Sequence, residues 1–77
     1  VVLDLVVTKS DDGFSTEIPS INGCESWAHN EDAAINNTLE MFRFYIQVAS
    51  DFKIKIDKAR IEGNKTIYKI IFDKTHA

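Results

Sequence analysis

Cys24, His29 and Asp32 are the residues of this 77-residue chain whose chemistry could be coupled, as a thiol nucleophile, an imidazole base and a carboxylate to orient it. Closeness along the chain does not couple them. Local patterns place Cys24 at a strand end, His29 in a connector and Asp32 in a first helical turn, so the side chains point in different directions. No Gly-rich oxyanion element accompanies them. The expectation is a half-buried structural cysteine and a surface histidine. Asp4, Glu40 and Asp51 form a second set, carboxylates of the kind that hydrolyse phosphodiesters with two cations. Glu40 and Asp51 suit solvent-facing positions, and only Asp4, in a strand, looks out of place. The sequence has no phosphate-cradling Gly-rich loop, no HExxH helix and no paired CxxC. It is expected to be non-catalytic, without a metal or cofactor.

Charge is unevenly placed. Residues 1–40 carry −7 and residues 41–77 carry +4, within a net charge of −3. Such asymmetry can mark faces for different partners or two solvated faces that partly neutralise one another. Lys53, Lys55, Lys58, Arg60, Lys65, Lys69 and Lys74, with Phe52, Tyr68 and Phe72 interleaved, resemble the cations and rings that bind single-stranded nucleic acid. Alternating Lys is also how an exposed edge strand is kept from pairing, and the solvated-strand reading is preferred over RNA binding.

The elements that must position these residues follow from periodicity. Residues 1–8 are β-branched and apolar on both alternating sets except Asp4, which predicts a central or doubly covered strand. Asp11-Asp12-Gly13 turns the chain, and Phe14, Thr16 and Ile18 alternate with Ser15 and Glu17 in a half-buried second strand. Pro19 ends it, a loop runs to Gly23, and residues 24–28 are short enough for a third strand. Asn30 followed by Glu31 and Asp32 reads as an N-cap with acids at the positive end of the helix dipole. The helix should reach about Val48, with Ile35, Leu39, Phe42, Ile46 and Ala49 as its core stripe and Met41, Phe44, Tyr45 and Val48 beyond it. Residues 52–57 and 67–72, with Gly63-Asn64 between them, predict a C-terminal hairpin. The fold class is therefore α+β: an antiparallel sheet in the order β-β-β-α-β-β with one long helix on one face, as a single domain over residues 1–77.

A core of this size is marginal. One cysteine and two histidines leave no disulfide or closed zinc site to support it, so self-association is expected, most simply a twofold dimer. Phe44, Tyr45, Val48, Tyr68, Ile70 and Phe72 are the candidate contact residues, with residues 67–72 as an edge strand open to a partner. The apolar stretches fall far short of the ~20 residues of a membrane span, and no signal-peptide pattern opens the sequence. A cytoplasmic location is expected. The Asn-x-Thr sequons at Asn36 and Asn64 carry no weight without secretion. The sequence opens on Val1 rather than Met, and a true beginning upstream is expected.

The run from Asp12 to Cys24, with Gly13-Phe14, Pro19, Ile21 and Gly23-Cys24 in that order, followed by Trp27, Asn30 and Glu31-Asp32-Ala33-Ala34, resembles the HicB-like antitoxin family. There an Asp-Gly-aromatic strand and a Pro...Gly-Cys turn lead into a capped helix rich in Glu and Ala, and the likeness covers roughly residues 3–47. The resemblance implies a partial ribonuclease-H-like sheet with the helix on one face and no activity of its own. It also implies a partner, a small basic HicA-like toxin that cleaves messenger RNA and is blocked by burial of its active surface. The acidic half of the chain suits such a partner, with Glu17 and Glu25 as candidate toxin-facing residues. Members commonly add a DNA-binding helix pair or ribbon. After residue 50 this sequence has a β-rich hairpin instead, which argues against DNA binding. An orphan self-associating module of this family is the alternative reading.

Overall fold

The computed structural model describes residues 2–48 and 53–72. In chain order they form β1 (Val2–Ser10), β2 (Gly13–Glu17), β3 (Glu25–Ala28), α1 (Glu31–Ile46), β4 (Lys55–Glu62) and β5 (Lys65–Ile71). All pairings are antiparallel, in one five-stranded sheet of order β3-β2-β1-β5-β4. The helix packs on β2 and β3. Among the described residues no helix is long and apolar enough to cross a membrane.

The apolar strand β1 is central, as its sequence predicts. Leu5 and Val7 are buried towards the helix side. Asp4 faces the other way, and its cross-strand neighbour Lys69 forms an ion pair with it. That pairing removes the oddity of a carboxylate in an apolar strand. The turn after β1 is closed by Ser10 Oγ, which donates to the Gly13 carbonyl at 3.0 Å.

At the start of α1 the Asn30 side chain accepts the Ala33 N–H at 2.8 Å, satisfying one of the helix's orphan donors. At its end Gln47 adopts a left-handed conformation (φ 59°), and the Val48 N–H reaches back to the Arg43 carbonyl at 3.1 Å, the arrangement that usually takes glycine. Leu39 and Phe42 of the expected stripe are buried, whereas Ile35 and Ile46 are only partly so. Ala49 lies outside the described residues. The centre of the contact is instead Ala34 and Thr38, both fully buried. Their small side chains let the helix approach β2 closely enough for Thr16 Oγ1 to donate to the Ala34 carbonyl at 3.0 Å and to hydrogen-bond Thr38 Oγ1. Apolar periodicity alone misses this face, because neither residue scores as strongly apolar.

The expected edge strand over residues 67–72 is corrected by the topology. β5 lies between β1 and β4, and both its backbone edges are paired. Ile70 is fully buried, and Phe72 packs edge-on against Phe42 with ring centroids 5.1 Å apart. Both belong to the chain's own core and are not available to a second copy. The edges of the sheet are β3 and β4.

Candidate interaction surface

The residues singled out for chemistry are not brought together among the described residues. Cys24 is buried, its Sγ within 3.8 Å of the Thr38 carbonyl, and burial pushes its thiol pKa up, away from the thiolate that a nucleophile requires. His29 is exposed and packs edge-on against Trp27 at 4.8 Å between centroids. Asp32 is exposed in the first turn of α1. Asp4 is engaged by Lys69, Glu40 is exposed on α1, and Asp51 lies outside the described residues. Among the described residues no three His, Cys, Asp or Glu side chains are grouped to hold a metal ion.

Glu17 and Glu25 are brought together. The β2–β3 register sets them directly opposite one another, with Ser15 opposite Trp27 two positions further along. Alternation from the buried Thr16 turns Glu17, Glu25, Ser15 and Trp27 to the sheet face away from α1. Like charges in that relation destabilise a sheet, and no cation among the described residues forms an ion pair with either. Trp27 remains 44% exposed beside them. Its indole lies over Gly13, where an added Cβ would overlap the ring and sit 2.6 Å from the Ala28 carbonyl oxygen. Glycine is required there by close approach.

A short loop bounds this acidic corner. The Ile18 N–H bonds the Cys24 carbonyl at 3.0 Å and the Ile21 N–H bonds the Ile18 carbonyl at 2.9 Å, with Gly23 at φ 81° completing the turn. On its other side the loop walls a groove of about 580 Å³ against the outer face of α1, where Glu40, Met41, Phe44 and Tyr45 line it. Phe44 is 86% and Tyr45 62% exposed. Acidic corner and apolar groove thus share Ile21, Asn22, Gly23 and Cys24 as a common wall.

The six residues expected to form one self-association patch are dispersed. Phe44 and Tyr45 border the groove, and Val48 is half-buried after the helix end. Tyr68 is half-buried and donates its hydroxyl to Glu31 Oε2 at 2.9 Å, tying β5 to the start of α1. Burial, that hydrogen bond, and the charges of Glu31 and Asp32 push its pKa up to about 12.

Three cations of the basic hairpin have acidic partners, two within the hairpin and one in β1. Lys55 pairs with Asp57 at 3.8 Å, Arg60 with Glu62, and Lys69 with Asp4. Lys58 Nζ sits 6.0 Å from the Tyr68 ring centroid, while Phe72 is buried and Phe52 and Lys74 lie outside the described residues. Lys53 and Lys65 are exposed. Of the rings interleaved with these cations, Phe72 is therefore withdrawn into the core and Tyr68 is tied to Glu31. Comparison with family models, curated proteins and solved structures gives no match to this chain.

Proposed function

We propose that the chain is a non-catalytic binding module of the HicB-like antitoxin type, which neutralises a small basic HicA-like RNA-cleaving toxin. The observation that carries this reading is the Glu17/Glu25 pair, two carboxylates set opposite one another with no ion-pair partner among the described residues, beside a half-exposed Trp27. An arrangement that weakens the free protein is relieved by a cation from outside, and complementary charge speeds and orients docking onto a basic partner. Trp27 supplies the aromatic anchor that such contacts favour. The Asp12–Cys24 motif and the capped acidic helix start support the same family. RNA binding by the hairpin draws less support, because Lys55, Arg60 and Lys69 have acidic partners within the chain and Phe72 is buried.

The test is inhibition of a HicA-like toxin encoded beside this chain, measured as residual RNA cleavage while the purified protein is titrated in. Stoichiometric inhibition is expected, weakened about tenfold or more by the double change Glu17→Lys and Glu25→Lys. Inhibition indifferent to that change, or no inhibition at equimolar protein, refutes the reading.

A further inference from the structure

β4 is the longer of the two sheet edges, eight residues against four for β3, and from Asp57 to Glu62 every residue is exposed. Among the described residues no strand lies beside its outward backbone groups, and Ile61 is 63% exposed. An edge of this length invites a further strand. What kind of strand follows from its sequence, Lys-Ile-Asp-Lys-Ala-Arg-Ile-Glu. Reversed against itself, it sets Lys55 against Glu62, Ile56 against Ile61 and Asp57 against Arg60. Every outer position meets its complement.

Complementarity in sequence is not enough. A twofold axis normal to a sheet keeps each residue on its own face, so residues paired between two copies must share a face. Strict alternation over eight residues would put Lys55 and Glu62 on opposite faces, and likewise Ile56 and Ile61. The structure removes this obstacle. The β4–β5 register shifts between Lys58 and Arg60, making Ala59 an extra residue in a bulge. Through their β5 partners, Ile56 and Ile61 both lie on the helix side, while Lys55, Asp57, Arg60 and Glu62 all lie on the opposite side. The bulge sits at the centre of the palindrome and brings its two halves into phase.

We propose that β4 pairs antiparallel with β4 of a second copy across a twofold axis at the bulge, making one continuous ten-stranded sheet from two five-stranded ones. On the open face Lys55 meets Glu62 of the copy and Asp57 meets Arg60. Ile56 meets Ile61 on the helix side. Lys58, which would face its own copy near the axis, is drawn over the Tyr68 ring, a contact that offsets the like-charge approach. The interface is at the sheet edge opposite Glu17 and Glu25 and stands or falls independently of the toxin reading.

Two measurements test it. Light scattering across micromolar to millimolar concentrations should show a monomer–dimer equilibrium. Arg60→Asp should weaken it by about tenfold, and the swap Asp57→Arg with Arg60→Asp should restore it to within about threefold. Oxidative trapping fixes the register: Ile56→Cys and Ile61→Cys proteins should form a mixed disulfide when combined and little dimer separately, because only the mixed pair lies within bridging distance. A monomer at every concentration overturns the proposal, and would mean that the bulge and Lys58 instead guard the edge. So does a dimer insensitive to Arg60→Asp, or one trapped in another register.

Discussion

Replacing Glu25 with Lys should make the free protein more stable, because it turns a repulsive cross-strand pair with Glu17 into an attractive one. Directly opposite residues have Cβ atoms about 5 Å apart, and exposed carboxylates splaying to about 7 Å repel by about 0.6 kcal/mol in a water-like dielectric. Reversing one charge changes the sign as well as removing the repulsion, a swing of about 1 kcal/mol at low ionic strength. For a domain of this size that corresponds to a rise in Tm of about 4–8 °C. Salt is the internal control, since a Debye length of about 30 Å at 0.01 M falls to about 3 Å at 1 M and removes most of the effect. Glu25→Gln, which deletes the repulsion without adding attraction, should give about half the rise at low salt. Thermal unfolding followed by circular dichroism at both ionic strengths measures all of this. A Tm unchanged or lowered at low salt, or a rise that survives 1 M salt, refutes the claim that the free protein carries an uncompensated like-charge pair.

Phe42, fully buried where α1 meets Phe72, should cost about 3–5 kcal/mol when replaced by Ala. Denaturant titration should then show much or all of the folded baseline lost, and a shift below about 1 kcal/mol would mean that the ring is not central to the core. Alkaline titration should show one tyrosine ionising only near pH 12, abolished by Tyr68→Phe. The neutral phenol is favoured in the folded state, so its contribution is complete below pH 10 and is lost as the pH rises from 10 towards 12. Stability in that window should fall less steeply in the Phe variant.

Local features were legible in the sequence because local chemistry fixes them. Asn30 with Glu31 and Asp32 starts the helix one residue later, Pro19 lies just beyond β2, and Gly63-Asn64 turns the final hairpin. Pairing between distant segments is not written in this way. Nothing in residues 67–72 distinguishes an edge strand from an interior one, since Ile-Tyr-Lys-Ile-Ile-Phe suits either. Their burial is decided by β1, with Asp4 meeting Lys69 across 65 residues of chain. The sequence pattern therefore leaves Ile70 and Phe72 as surplus surface, whereas in the fold they are core. The Ala59 bulge was hidden for a related reason, because a register shift is a property of two strands and alternation is read from one. Of the acidic pair, the sequence identified both members but not their juxtaposition, which depends on the length of the loop between β2 and β3.

Topology also turns the uneven charge of the chain into two sheet edges with opposite rules of association. β1 is central, so the N-terminal strands β2 and β3 build out on one side of it and the C-terminal strands β5 and β4 on the other. The acidic first half and basic second half are thereby sorted to opposite ends of one sheet. At the β3 edge the carboxylates of Glu17 and Glu25 face the same side, and a second copy approaching there would bring more negative charge. That edge discourages its own kind, and its charge would complement the cationic partner proposed above. β4 carries alternating signs, Lys55 and Asp57 in one half and Arg60 and Glu62 in the other, placed on one face by the bulge. Its uniform net charge is small, so a large basic or acidic surface gains little there, whereas an inverted copy of the same strand meets a complement at each outer position. One edge is thus suited to a foreign partner and the other to a second copy, and because they lie at opposite ends of the sheet, occupation of one leaves the other free.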